Sequence, residues 1–231
     1  MTLEEVLVNA SNAFVPILDR SLPAWQYIPI DLSYTNPNLE DSDIEDHNAC
    51  QNHIDGILQK FKAKVAYGGY LEKRKLYGNK SLFSTNDMLS RNIHLGMDLW
   101  TSAGTKVLAP FLGRVHSFQN NTGFGDYGPT LILSHEVQGI PFHTLYGHLS
   151  LDSLDGLFVG RPFRPGEVIG ALGTHKINGG YAPHLHFQII RDMEGYSGDY
   201  PGVCHKGDRE SFVINCPDPN ILLKLNVPNK D

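Results

Sequence analysis

The chain has 231 residues, of which 41% are hydrophobic, and its 19 basic and 25 acidic residues give a formal net charge of −6. This length allows a substantial core, and the acidic balance argues against a nucleic acid or an anionic membrane as partner, because both require a basic surface. No apolar run approaches the roughly 18 residues of a membrane span, so we expect no membrane insertion.

The chain opens with a short helix followed by a long loop. Thr2 and Glu5 have the spacing of a capping box, which predicts a helix that reaches about Asn12. Residues 15–40 are rich in Pro, Asn and Asp, which is typical of an extended loop.

A second capping box, Ser42 with Glu45, precedes the strongest helical pattern of the chain. Apolar residues recur there at helical spacing, and Gly68-Gly69 closes the run. The recurring residues are Ile54, Ile57, Leu58, Phe61 and Val65. We therefore predict that residues 1–90 form a helical and loop extension packed on the domain that follows.

From about residue 90 the pattern changes to short apolar runs separated by Gly and Pro. Examples are "KVLAPFLGRVHSF", "PTLILSHE", "PFHTLYGHLS" and "RPGEVIGALG". Such runs predict a mainly β fold, an antiparallel sandwich or barrel. We assign residues 91–231 to this β domain, with a docked C-terminal tail and a frayed end.

The N-terminus and the cysteines predict a cytoplasmic protein. The first 20 residues lack the basic region and the continuous apolar stretch of a signal peptide. Three cysteines, an odd number, are expected as free thiols in a reducing compartment; they are Cys50, Cys204 and Cys216. Cys204 and His205 are adjacent, and neighbours on a strand point to opposite faces, which disfavours a nucleophile–base pair.

The stretch "HLHFQII", residues 184–190, places two histidines in a predicted buried strand. Alternation along the strand puts His184, His186 and Gln188 on one face and the apolar residues on the other. The two histidines would have Cα atoms about 6.5–7 Å apart. They could share a metal ion, or one could bind it while the other handles a proton.

A second short motif, "HLGMDL", offers further ligands. Gly96 favours a strand that bends between His94 and Asp98, which would bring both side chains to one point. With one histidine of the HxH pair they would supply three ligands and leave the fourth position of a tetrahedral zinc site open for water. His148 in "LYGHLS" is a second candidate for proton handling, and Tyr146 before it either faces the site or packs within the strand. The other histidines, His135 among them, are expected to be surface or hydrogen-bonded residues.

Five segments in order, "HLGMDL", "GTKVLAPFLGRV", "LYGHLS", "RPGEVIGALG" and "PHLHFQ", resemble the M23 zinc metallopeptidases of the lysostaphin or LytM type. The resemblance covers about residues 90–191. It implies a duplicated-hybrid-motif fold of antiparallel sheets, one Zn²⁺ per chain in the floor of a groove, and peptides of bacterial peptidoglycan as substrates. The flanking segments also resemble a subgroup in which the domain lies between kinase-like and aminotransferase-like domains.

The resemblance also implies residue roles. His94, Asp98 and His186 would bind the metal, whereas His148 and His184 would flank the water molecule and act in catalysis. Which of these two is the general base stays open.

The function predicted on this basis is zinc-dependent hydrolysis of a peptide amide bond. Two alternatives remain: a zinc-binding scaffold without catalysis, and a histidine phospho-carrier-like domain, against which Asp98 counts.

Overall fold

A computed structural model describes residues 1–10, 14–40, 46–74 and 91–225. The α-helices are α1 Leu3–Ala10, α2 His47–Phe61, α3 Arg209–Asn215 and α4 Asn220–Leu223. The strands are β1 Tyr27–Pro29, β2 Val65–Gly68, β3 Ile93–His94, β4 Met97–Trp100, β5 Lys106–Leu108, β6 Gly113–Asn121, β7 Gly128–Val137, β8 Ile140–Gly147, β9 Pro162–Phe163, β10 Val168–Ala171, β11 His184–Ile190 and β12 Val203–Cys204.

Eight strands form the main sheet, in the order β1-β2-β4-β11-β8-β7-β6-β9. β1 and β2 pair in parallel, and the other strand pairs of the described segments are antiparallel. Two small antiparallel sheets, β5 with β10 and β3 with β12, complete the strand pairing. The prediction of a mainly β, antiparallel fold is confirmed.

Strand β11 lies inside the main sheet, between β4 and β8. Its apolar residues Leu185, Phe187 and Ile189 are fully buried in the largest hydrophobic cluster. The alternation of a strand therefore turns His184 and His186 to the other face of the sheet. His186 pairs with Asp98 of β4 in the strand register, which brings the two predicted ligands side by side.

The first helix begins with the predicted capping box. The backbone N–H of Thr2 donates to Glu5 Oε2 at 2.8 Å, and that of Glu5 donates to Thr2 Oγ1 at 3.2 Å. Leu3 and Leu7 of α1 enter the main hydrophobic cluster, and α1 packs against α4. The predicted end at Asn12 lies outside the described residues. Residues 226–231, the last of the tail for which a frayed end is expected, lie outside them too.

Helix α2 begins and ends differently from the prediction. Asp46 caps it by accepting from two backbone N–H groups, whereas Ser42 and Glu45 lie outside the described residues. The predicted run to Gly68 is wrong, because Lys62 adopts a left-handed conformation (φ 55°) that ends the helix. Val65, although in helical phase with α2, begins strand β2 and is fully buried.

The N-terminal region contributes to the same sheet and core as the rest of the chain. β2 pairs with β4, and β1 pairs with β2 along the edge of the main sheet. The division into residues 1–90 and 91–231 stays a prediction. Within the described segments, no helix combines the length and the apolar character needed to cross a membrane.

Candidate metal centre

The bend between β3 and β4 brings His94 and Asp98 to one point, next to His186 of β11. These three side chains are 1–2% exposed. Gly96 sits in the bend, and a Cβ at this position would lie 2.6 Å from Cε1 of His186, well inside van der Waals contact. A glycine is thus required for the His186 ring to occupy its place.

The facing atoms of the three side chains have the spacing of metal ligands. His94 Nε2 lies 2.9 Å from His186 Nδ1 and 3.3 Å from Asp98 Oδ1, and the last two atoms are 3.1 Å apart. Ligands about 2.0–2.1 Å from a tetrahedral zinc ion are roughly 3.3 Å from one another. The two nitrogens and one oxygen therefore fit a single divalent cation.

The remaining ring nitrogens of both histidines are held by hydrogen bonds. Nδ1 of His94 donates to the carbonyl oxygen of Gly69 at 3.0 Å, which leaves Nε2 to face the centre. Nε2 of His186 lies 2.9 Å from Oε1 of Gln188, whose amide donates to the carbonyl of Pro201. Such partners fix the tautomer and ring orientation of metal-binding histidines.

A buried ion pair lies behind Asp98, and sequence reasoning missed it. Nη1 of Arg74 donates to Oδ2 of Asp98 at 2.5 Å, and Nε donates to Oε2 of Glu72 at 2.6 Å. Arg74 is 2% exposed. In the sequence it belongs to the charged run "EKRK", which is typical of a solvated surface, so no local signal points to the centre.

His148 and His184 lie beside the three candidate ligands. Their ring centroids are 4.2 Å apart, and Nε2 of His184 is 3.8 Å from Oδ1 of Asp98. In both rings Nδ1 donates to a backbone carbonyl at 2.7 Å, that of Asn178 for His148 and that of Ala182 for His184. His148 has a φ of 63°, a strained conformation for a non-glycine residue and one that clusters at functional sites.

The protonation states of the cluster suit cation binding. Burial lowers the pKa of His94 and of His184 to about 4, and that of His148 well below its usual range. Burial opposes ionisation of Asp98, yet its electrostatic interactions with His94 and with the Arg74 guanidinium hold its pKa well below the ordinary value. At neutral pH the imidazoles of His94, His148 and His184 are therefore neutral and the Asp98 carboxylate is ionised, the forms that bind a cation.

Comparison with known proteins identifies the domain that carries this cluster. Residues 92–197 match the family model of peptidase family M23. Because of this match we refer to the segment as the M23 domain. It begins two residues before His94 and ends after His186, so the three clustered side chains lie within it.

A curated relative and two solved structures are similar to the chain. An uncharacterized metalloprotease of Haemophilus influenzae is 28% identical over 137 residues, 57% of this chain; the match spans 27% of that protein, about a quarter of its length. The catalytic domain of lysostaphin from Staphylococcus simulans is 23% identical, with 52% of this chain and 80% of that chain covered and a TM-score of 0.34. The catalytic domain of the prophage-encoded M23 protein EnpA from Enterococcus faecalis is 20% identical, with 52% and 87% covered and a TM-score of 0.37.

The centre of the M23 domain opens into a cavity of about 290 Å³. His94, Asp98, His148, His184 and His186 all line it. Five aromatic side chains form much of the remaining wall; they are Trp100, Tyr127, Tyr181, Tyr196 and Tyr200. Three charged residues, Arg91, Asp126 and Asp199, also line it, so the wall is polar as well as aromatic.

Tyr146 and Cys204, which the sequence offered as further candidates, do not line the cavity. Tyr146 is fully buried in the main core and packs against Phe187, so it belongs to the strand packing of the M23 domain. The three cysteines, all within the described residues, form no disulfide. Burial raises the pKa of Cys204 to about 11 and that of Cys216 to about 12, so neither is a thiolate nucleophile at neutral pH.

His135 is a structural histidine of the M23 domain. Its Nδ1 donates to the carbonyl of Leu112 at 3.0 Å, and its Nε2 lies 2.7 Å from Oγ1 of Thr144. Its ring stacks on Phe142, with the centroids 5.0 Å apart. Burial lowers its pKa to about 4.

Proposed function

We propose that the chain is a zinc-dependent peptidase that hydrolyses a peptide amide bond. The observation that carries the proposal is the convergence of three ligand atoms 2.9–3.3 Å apart with two further imidazoles on one cavity of an M23 domain. His94 Nε2, His186 Nδ1 and Asp98 Oδ1 would hold the ion.

The donor set favours zinc. Catalytic zinc sites use three protein ligands of the histidine and carboxylate type and keep a further position open. In this chain the three donors belong to two histidines and one aspartate, and the cavity lies over them. We propose one zinc ion per chain.

The histidines beside the ligands would handle the proton. Zinc, when bound, supplies Lewis acidity that polarises a carbonyl group and makes water a stronger acid. Because the Nδ1 atoms of His148 and His184 donate to backbone carbonyls, their unprotonated Nε2 atoms are the ones available to accept a proton. Once protonated, the same atom can donate to the leaving amine or to the oxygen that gains negative charge.

The proposed substrate is a peptide. The M23 domain supports this class, and the resemblance of the motifs to lysostaphin-like enzymes favours a peptide of the kind found in bacterial peptidoglycan. The aromatic wall of the cavity offers surface for the apolar parts of such a peptide.

The test compares hydrolysis and zinc content in matched histidine variants. Zinc-loaded protein is incubated with peptidoglycan fragments and with a library of quenched fluorescent peptides. We expect the wild type to cleave at least one substrate, and His184→Ala to lose cleavage while it retains zinc. His186→Ala should lose both, and His175→Ala, which changes a histidine outside the cavity, should lose neither.

Two results contradict the proposal. Full turnover by His184→Ala would remove this histidine from catalysis. A wild-type protein that carries one zinc ion per chain and cleaves nothing in either panel would instead be a zinc-binding scaffold.

A further inference from the structure

The chain that leaves strand β2 passes directly beside the metal centre. In the register of β2 and β4, Gly68 pairs with Asp98 and Tyr67 pairs with Leu99. Residues 65–74 precede residue 92, where the match to the M23 family begins. A segment outside the M23 domain is therefore positioned against one of its candidate ligands.

Gly69 contacts the centre through its backbone. Its carbonyl oxygen accepts from Nδ1 of His94 at 3.0 Å. It has a φ of 104°, and a Cβ at this position would overlap the guanidinium of Arg74. Only glycine meets both requirements, a left-handed backbone and an empty space for the arginine.

Arg74 contacts the centre through its side chain. Nη1 donates to Oδ2 of Asp98 at 2.5 Å, and Nε donates to Oε2 of Glu72 at 2.6 Å. The second carboxylate oxygen of Glu72 accepts from the backbone N–H of Leu32 at 3.2 Å, which fixes its orientation. The planar guanidinium is thus held between two buried carboxylates.

The ion pair with Arg74 gives the two carboxylate oxygens of Asp98 different partners. Oδ2 is engaged by Arg74, whereas Oδ1 faces His94 and His186 at 3.3 and 3.1 Å. A carboxylate held in this way offers a single oxygen to a cation.

We propose that residues 65–74 provide the outer shell of the metal site. Arg74 is the positioning residue that keeps Asp98 a one-oxygen ligand. The Gly69 carbonyl fixes the ring of His94. This inference rests on the proposed function for the metal ligands, but it assigns a role to the region that precedes the M23 domain. Arg74 contacts a metal ligand and not the substrate, so its effect is measured through the affinity and the spectrum of the bound metal.

The test measures Co²⁺ and Zn²⁺ binding by the full chain and the visible d–d absorption of the Co²⁺ form. The wild type should show the intense bands of four-coordinate Co²⁺. Arg74→Lys retains the charge but loses the fork that spans both carboxylates. We expect its metal affinity to fall about 10–100-fold, as for other outer-shell changes, with weaker bands because freed Oδ2 joins the coordination.

Two further variants complete the experiment. Glu72→Gln retains the shape of the side chain but replaces one of its two acceptor oxygens by an NH2 group and removes the balancing negative charge, so it should also bind Zn²⁺ more weakly. If urea titration shows that Arg74→Lys is not folded, Glu72→Gln tests the same role independently. Arg191→Lys changes an arginine paired with Glu4 away from the centre and should match the wild type.

The outcomes separate the inference from the proposed function. If Arg74→Lys and Glu72→Gln are folded and retain the wild-type affinity and spectrum, the outer-shell role is wrong. If the wild type shows the expected bands and the variants weaken them, the role stands even where no peptide is cleaved. A wild type that binds neither ion overturns both the metal site and its outer shell.

Discussion

Replacing Gly96 with alanine adds one methyl group at the most crowded point of the metal centre. The new Cβ would lie 2.6 Å from Cε1 and 2.7 Å from Nε2 of His186, and 2.8 Å from the backbone oxygen of Phe187. Carbon atoms in normal contact are about 3.5–4.0 Å apart, so the imidazole would have to move by about 1 Å. The distance to the backbone oxygen cannot be relieved by a side-chain rotation.

A movement of this size exceeds what a metal ligand tolerates, since ligand distances hold to about 0.2 Å. We expect the zinc affinity of Gly96→Ala to fall roughly 10–100-fold, the range seen when the support of a ligand is disturbed. The crowding should also lower the free energy of unfolding by about 1–3 kcal/mol.

The assay is a zinc titration of chelator-treated protein in competition with a chromophoric chelator, together with urea unfolding. Gly56→Ala is the matched control, because Gly56 is exposed on α2 and no atom lies within 4 Å of its added Cβ. It should leave zinc binding unchanged and raise the stability by about 1 kcal/mol through helix propensity. A folded Gly96→Ala protein with wild-type zinc affinity would refute the reasoning.

Three further predictions concern stability and the outer contacts of the centre. First, the pKa of His135 is about 4 in the folded chain and 6.5 in the reference state, so unfolded chains bind more protons below pH 6.5. The contribution of neutral His135 to the free energy of unfolding is complete above that pH and is lost as the pH falls; at pH 5 the loss is about 2 kcal/mol. Between about pH 7.5 and 5, the free energy of unfolding measured in urea should therefore fall less for His135→Phe than for the wild type. An equal fall in the two proteins would contradict the structural role of His135. Second, Gln188→Leu removes the hydrogen-bond partner of His186 Nε2 and should weaken zinc binding about 10–100-fold in the same competition titration. An unchanged zinc affinity would show that Gln188 contributes only to packing. Third, zinc at about 100 times its dissociation constant should raise the free energy of unfolding of the wild type by about 2.7 kcal/mol and leave that of His186→Ala unchanged; equal gains would place the ion elsewhere.

The centre of the site was predictable because its signals are local. Alternation along "HLHFQII" separates the two histidines from the core residues, and the structure shows this separation. The glycine between His94 and Asp98 indicates the bend that joins β3 to β4. Both features depend on residues close in sequence, where strand geometry determines the direction of each side chain.

The outer contacts and the end of α2 were not predictable, because they depend on tertiary structure. Arg74 follows β2, whose pairing with β4 brings this part of the chain next to Asp98, an aspartate 24 positions away in the sequence. Val65 continues the helical period of α2, yet the left-handed backbone of Lys62 ends the helix before it. Val65 instead begins β2, the strand that pairs with β4. A periodicity of apolar residues cannot distinguish a helix from a short buried strand that follows it in phase.

The most direct test of the central claim is an anomalous difference map recorded at the zinc edge from crystals grown with zinc. We expect one peak per chain, about 2.0–2.2 Å from His94 Nε2, His186 Nδ1 and Asp98 Oδ1. A map without a peak at these atoms, or with the zinc bound to other residues, would contradict the claim.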